Sequence, residues 1–229
     1  MIELYELAGA DPAIRFSPFC WRIRMALAHK GLEARTIPWH FGEKKLPKGS
    51  EKVPVLVDDG EVIADSTAIA CHLEATYGNG PNLFGGEGGQ AHGRFITAWA
   101  NSVLQPGFFP LIVMDIFAQV KPEARAYFRS TREIRVGTTL EKAAEGREEK
   151  LPALHAMLSP LRLVLQESPF VGGEEPSYAD YTAFGPFMQI RCLSDFEVLA
   201  ADDPVHAWRE RMLDLFDGVA REAKTVFQQ

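Results

Sequence analysis

Residues 78–90 hold Gly78, Gly80, Pro81, Gly85, Gly86, Gly88 and Gly89, and strand-type alternation occurs only before them. Glycine and proline at this density interrupt helices and strands alike. A chain of 229 residues is long enough for two small domains. The expected organisation is therefore a first unit over residues 1–78, a Gly-rich linker over 79–90, and a second unit over 91–229.

The first unit alternates element types. Ile2, Leu4 and Leu7, with Tyr5 between them, make a strand that is apolar on nearly both faces, as for an inner strand of a covered sheet. Ser17 reads as an N-cap, Pro18 occupies the favoured first helical position, and Gly31 follows the last helical residue. Residues 33–37 give a second strand, parallel to the first after a right-handed helical crossover. Residues 38–52 are irregular. Residues 53–57 form a third strand, Asp59-Gly60 favours a tight hairpin, residues 61–64 return antiparallel, and Asp65-Ser66 caps a helix over 67–77. Strand, helix, strand, hairpin, helix is the order of a thioredoxin-like α/β domain.

Beyond the glycines the strands stop. Leu151, Leu154, Met157, Leu158, Leu161 and Leu165 recur at helical spacing, as do Val205, Trp208, Met212, Leu215 and Phe216. Lys121-Pro122-Glu123 starts another helix, and residues 141–150 read as a charged stretch between helices. Ser177 with Asp180 three residues on is a variant capping box, a folding signal to which no chemistry is assigned. The second domain is expected to be all-helical.

Several function classes are disfavoured. A formal charge of −7 and a pI near 5.4 do not suit non-specific nucleic-acid binding, which needs basic surface to displace counterions. Cys20, Cys71 and Cys192 are odd in number and widely spaced, suggesting neither a disulfide framework nor a zinc site. His29, His72, His92, His155 and His206 show no metal-ligand pairing, so no metal is expected. The apolar run 108–114 falls far short of the roughly 20 residues of a membrane span. No signal-peptide pattern opens the sequence, and a cytoplasmic protein is the expectation.

The motifs "SPFCWRIR", "VPVLVDDG", "ADSTAI", the Gly-rich linker and "SYADY" stand in the order and spacing of a cytosolic glutathione transferase, which the chain resembles over essentially its whole length. A narrower resemblance, carried by "SPFCWRIRMALAHKG", "AEGREEKLP", "YADYTAF" and "DDPVHAWRERMLDLFDG", is to glutathione-dependent enzymes that cleave β-aryl ethers of lignin. The chain stops soon after the last of these, whereas some of those enzymes carry a long C-terminal extension.

The chemistry at the first helix can be argued from its residues. A thiol of pKa roughly 8.5 is only about 3% thiolate at pH 7, and lowering the pKa by ~2 makes about three quarters of it thiolate. That requires ~2.7 kcal/mol. A helix N-terminus supplies roughly 0.3 to 2 kcal/mol and a hydrogen bond to a charged group ~1.5 to 3. Ser17 is thus the candidate catalytic residue, donating its hydroxyl proton to a sulfur bound from outside; its other reading is a helix cap alone. Cys20 completes a Ser-Pro-Phe-Cys spacing like that of thiol oxidoreductases, but the more reactive first position is serine. Its bland reading is a buried apolar residue.

The resemblance adds glutathione as co-substrate and a ligand set. Val53, before a cis Pro54, would pair with the cysteinyl unit like an added strand, although proline at a strand start is also tolerated structurally. Asp65 and Ser66 would meet the γ-glutamyl end, besides capping their helix. Among His40, Lys44, Lys45 and Lys52, His40 and Lys52 are the candidates for the glycyl carboxylate. Phe16, Trp99, Phe108, Phe109 and Met114 are expected to wall an apolar electrophile pocket between the domains, with Pro106 and Pro110 bending the second-domain helix there. A homodimer is expected from the resemblance alone. Two other readings remain: a non-catalytic glutathione-binding regulatory protein, and a glutathione-dependent thiol oxidoreductase using Cys20.

Overall fold

The computed structural model describes residues 1–44, 46–86 and 88–228. Lys45, Glu87 and Gln229, which fall in the carboxylate-binding segment, the linker and the second unit read from the sequence, lie outside the described residues. The first domain runs β1 (Ile2–Leu7), α1 (Pro18–His29), β2 (Ala34–Trp39), β3 (Val55–Asp58), β4 (Glu61–Ala64) and α2 (Ser66–Thr76). The sheet order is β2-β1-β3-β4. Strand β1 pairs parallel with β2, with Leu4 opposite Thr36, and antiparallel with β3, with Leu4 opposite Leu56. This is the thioredoxin-like arrangement, and β1 is an inner strand as its two-faced apolarity requires. Gly60 closes the β3–β4 hairpin with φ +89°, a left-handed conformation that glycine adopts without a Cβ clash. The third strand starts at Val55, two residues later than the apolar run suggests, and the Val53-Pro54 peptide just before it is cis.

The second domain contains α3 (Gly89–Trp99), a π-helical turn (Ala100–Leu104), α4 (Gln105–Ala118), α5 (Arg125–Val136), α6 (Leu140–Ala144), α7 (Leu151–Met157), α8 (Ser159–Glu167), α9 (Tyr178–Leu193) and α10 (Pro204–Gly218). Helix α3 begins inside the expected linker. The stretch 141–150 is not merely a charged connection. Thr139 caps α6 by accepting from Lys142 N, and Leu140 and Ala143 are buried, so two apolar residues anchor a short helix whose other side is charged. In α10 the helical backbone ends before Leu215, and Phe216 and Asp217 have positive φ.

Helix α9 is the centre of this domain and is buried along almost its whole length, as a helix apolar all round must be. Its start is fixed by Asp180, fully buried, which accepts from Val171 N (2.7 Å), Gly172 N (2.9 Å), Ser177 N (3.0 Å) and Trp208 Nε1 (3.0 Å). The capping box thus also ties the preceding loop and α10 to α9. Helix α9 packs against α1, and at Gly185 the two are tight enough that a Cβ there would lie 2.4 Å from Pro18 O. The continuous helix Gly89–Ala118 is 30 residues long and contains a window of mean hydropathy 1.2, enough by length and composition to cross a bilayer; half of that window is buried inside the fold. The buried half is part of the domain core.

Candidate active site

Ser17 stands where β1 has delivered the chain to the start of α1. Its backbone is extended (φ −66°, ψ 125°), and its Oγ accepts the Cys20 N–H at 3.4 Å, so the cap read from the sequence is present. Capping uses a lone pair on Oγ and does not itself use the hydroxyl proton. Ser17 is only 4% exposed, and that exposed part opens on a cavity of about 450 Å³ between the two domains. The first domain contributes Phe16, Ser17, Trp39, Phe41, Lys52 and Val53 to its walls; the second contributes Gln105, Phe109 and Ile116 of α4, Phe128, Arg132 and Arg135 of α5, and Gln189 of α9. Its volume is that of a small-molecule site. At one wall Gln105 Nε2 donates to Gln189 Oε1 at 3.0 Å, while Gln105 Oε1 is buried without a partner among the described residues.

Ser17, Lys52, Val53, Phe16 and Phe109 therefore converge on one cavity. Trp99, Phe108 and Met114 are not among its lining residues. Gln105 and Phe109 are four apart and Ile116 seven further on, so one face of α4 looks into the cavity. Phe108 is turned about 100° from Phe109 and packs edge-on against Phe187 at 4.8 Å. Met114 lies off that face, and Trp99 precedes the π-helical turn, whose wider winding changes the phase between α3 and α4.

His40 lines a neighbouring cavity of about 760 Å³, which shares Trp39, Phe41, Glu51 and Tyr127 with the first and also holds Lys44 and Lys121. Burial, then the Lys121 charge, pushes the His40 pKa below its ordinary value, so this imidazole is neutral near pH 7. Its Nδ1 is buried and unpartnered among the described residues. Asp65 caps α2 through Oδ1 alone, accepting from Thr67 N (2.8 Å) and Ala68 N (3.2 Å). It does so at φ +80°, an uncommon conformation for aspartate that costs roughly 1–3 kcal/mol and tends to mark functional positions. That cap leaves the Ser66 amide as a first-turn donor it does not use. Neither Asp65 nor Ser66 lines the cavity beside Ser17.

The Cys20 thiol is fully buried, and desolvation, with the Glu6 charge behind it, pushes its pKa up to about 12. It is a packing residue with almost no thiolate at neutral pH. Among the described residues no cluster of His, Cys, Asp and Glu side chains could hold a metal ion.

The α5 wall is not legible as a site in the sequence. Tyr127, Phe128, Thr131, Arg132 and Arg135 recur at three- and four-residue spacing, the signature of a helix with one committed face, but an arginine-rich face reads first as solvated surface.

A family model described as the glutathione S-transferase N-terminal domain matches residues 16–76, and one described as the glutathione S-transferase C-terminal domain matches residues 91–214. The chain belongs to the glutathione S-transferase family. Among curated relatives, it is 33% identical to glutathione S-transferase U2 of Arabidopsis thaliana over 107 residues, 42% of this chain and 45% of that protein. The chain spans about half the length of the first curated relatives it matches. Glutathione transferase GSTFuA3 from Phanerochaete chrysosporium superposes with a TM-score of 0.78 at 27% identity, covering 92% of this chain and 95% of that one. The glutathione S-transferase CsGST63524 of Ceriporiopsis subvermispora, solved in complex with glutathione, gives a TM-score of 0.74 at 25% identity over 94% and 96% of the two chains.

Proposed function

We propose that the protein is a glutathione transferase in which the thiolate of bound glutathione attacks an apolar or aromatic electrophile. The observation that carries this reading is the placement of Ser17, a capping serine whose Oγ accepts the Cys20 N–H, on the wall of an interdomain cavity that also presents Val53 and Phe109.

Ser17 donates to the glutathione sulfur, and the first turn of α1 adds its positive end, so the thiol ionises near neutral pH. Val53 pairs with the cysteinyl backbone of glutathione, and the adjoining Pro54 sets its direction. Ser66 and the start of α2 receive the γ-glutamyl carboxylate. Asp65, turned back onto its own helix, fixes that turn and presents its remaining oxygen to the ligand amine. Lys52, on the cavity wall, is the better partner for the glycyl carboxylate; neutral His40 serves as a hydrogen-bonding neighbour. Phe16 and Phe109 receive the electrophile.

The narrower reaction we propose is β-aryl ether cleavage. The thiolate attacks the carbon beside a ketone that carries the aryl ether oxygen; a C–S bond forms, the C–O bond breaks, and the aryloxide leaves with the electron pair. The similarity of "SPFCWRIRMALAHKG" and "DDPVHAWRERMLDLFDG" to etherase sequences supports this branch. Cytoplasmic location and a homodimer complete the reading.

The test is incubation with glutathione and, in parallel, a chloronitrobenzene and a fluorogenic β-aryl ether. Ether cleavage identifies the narrow branch, and conjugation alone the broad one. Saturable glutathione binding with neither reaction would replace the enzyme reading by a non-catalytic glutathione-binding protein.

A further inference from the structure

The arginines of α5 differ in what holds them. Arg129 is bonded to both Glu133 and Glu141, at 2.8 and 2.6 Å. One turn on, Arg132 and Arg135 have no carboxylate within ion-pair distance among the described residues, and both line the cavity that Ser17 opens on. Arg132 is half-buried. Its guanidinium lies 5.0 Å from the ring centres of both Phe41 and Phe128, and Nη1 donates to Thr131 Oγ1 at 2.8 Å. Arg135 lies 5.0 Å from the ring centre of Phe109 at the exposed edge of the same wall. The cavity thus carries Lys52, Arg132 and Arg135 against Glu51 alone, in a chain whose net charge is −7.

Guanidinium groups remain charged in such surroundings, and contact with aromatic faces keeps them oriented while leaving edge N–H groups other than the Arg132 Nη1 donor to Thr131 for a ligand. A half-buried cation without a counter-ion is poorly compensated by protein and gains most from an anion brought by a ligand, most of all from a carboxylate that can take two N–H bonds at once. The rings beneath the arginines are themselves cavity wall. A flat aromatic ligand lying on Phe109 and Phe128 would bring a ring substituent to the guanidinium edges.

We infer that the acceptor substrate is an aromatic electrophile bearing a carboxylate, which Arg132 and Arg135 hold while its reactive carbon faces the sulfur at Ser17. This rests on the glutathione transferase reading. The same chemistry is offered by the glycyl carboxylate of glutathione itself, and the experiment separates the two sources.

The measurement is calorimetric titration of the full chain with three ligands: S-methylglutathione, S-(4-carboxy-2-nitrophenyl)glutathione, and the matching 4-carbamoyl conjugate, which is nearly isosteric but uncharged. The carboxylate conjugate is expected to bind at least about tenfold more tightly than the carbamoyl one, about 1.4 kcal/mol. Arg132→Met with Arg135→Met should bring that ratio close to one while leaving S-methylglutathione affinity unchanged, and the double Lys variant should retain part of the preference. Equal binding of the two conjugates by the unaltered protein overturns the inference, and this comparison decides even if the methionine variant does not fold. Equal weakening of all three ligands in the variant also overturns it and assigns the arginines to the glycyl carboxylate. Failure of the unaltered protein to bind S-methylglutathione overturns the glutathione reading, and this inference with it.

Discussion

The Cys20 backbone N–H donates to Ser17 Oγ at 3.4 Å, and this one bond reconciles two roles that compete in the sequence. A serine that only caps and a serine that stabilises a thiolate differ in which part of the hydroxyl they use. The cap takes a lone pair; the thiolate takes the proton.

Substituting Ser17 should therefore have two separable effects. Ser17→Ala is expected to lower kcat/KM for glutathione-dependent conjugation about 10- to 150-fold, the worth of a hydrogen bond to a charged group, ~1.5–3 kcal/mol, and to cost about 1 kcal/mol of stability through the lost cap. Ser17→Thr should keep most of both. Ultraviolet titration of the bound thiolate checks the first effect: an unchanged ionisation midpoint in Ser17→Ala would leave the hydroxyl as a cap alone.

Thiol accessibility distinguishes the transferase from an oxidoreductase. Cys20 and Cys192 are buried, with burial pushing both pKa values up to about 12, whereas Cys71 is exposed. Dithiobisnitrobenzoate should modify Cys71 in the native protein and all three cysteines in guanidinium. Cys20→Ala should retain conjugating activity. Native-state modification of Cys20 with loss of activity would restore the redox reading.

Asp180→Ala removes the acceptor of three backbone N–H groups and the Trp208 indole in a buried site. The expected loss is about 3–5 kcal/mol, with a fall in the thermal midpoint on the order of 10 °C for a chain of this size. Activity per folded molecule should change less than about twofold, since a cap that sets α9 does not touch the ligands. Unfolding curves and active-site titration of the same preparation check both halves.

Acid should loosen the attachment of α5. Hydrogen bonding to Arg129 holds the Glu141 carboxyl at about 2 against an ordinary value of 4.5. Between those values the unfolded chain binds more protons than the native one, so this contribution is present above pH 4.5 and is lost as pH falls through about 2. In Glu141→Gln the thermal midpoint should fall less steeply across that window. Because the pair is on the surface, 0.5 M salt should shrink the difference between the two proteins. Parallel pH profiles at low salt would show that the bond contributes nothing.

What the residues disclosed in advance was what they settle locally. Ser17-Pro18, Asp59-Gly60 and Ser177 with Asp180 each fix a few backbone angles through bonds to near neighbours, so their signals survive without tertiary context. Helix α6 escaped notice because two buried residues, Leu140 and Ala143, make too short a pattern to register. For Trp99, Phe108 and Met114, which do not line the cavity beside Ser17, the limit is different: aromatic and apolar type says that a side chain is buried, not which side of its helix faces the core and which the cavity. The π-helical turn before α4 alters that phase, and nothing in residues 100–104 announces it. Arg132 and Arg135 acquire their meaning only from Phe41, contributed by the other domain, and Phe109, from another helix.

The contact at Gly185 bears on how such a protein can be recombined. Pro18 O would come within 2.4 Å of any Cβ at position 185, so the turn that follows Ser17 is gauged by the other domain's central helix. A chimera that joins this first domain to a helical domain carrying alanine at that place would inherit every ligand-facing residue of the first domain and still displace its serine. The two domains must be exchanged as a matched pair, with that missing methyl group as their common gauge.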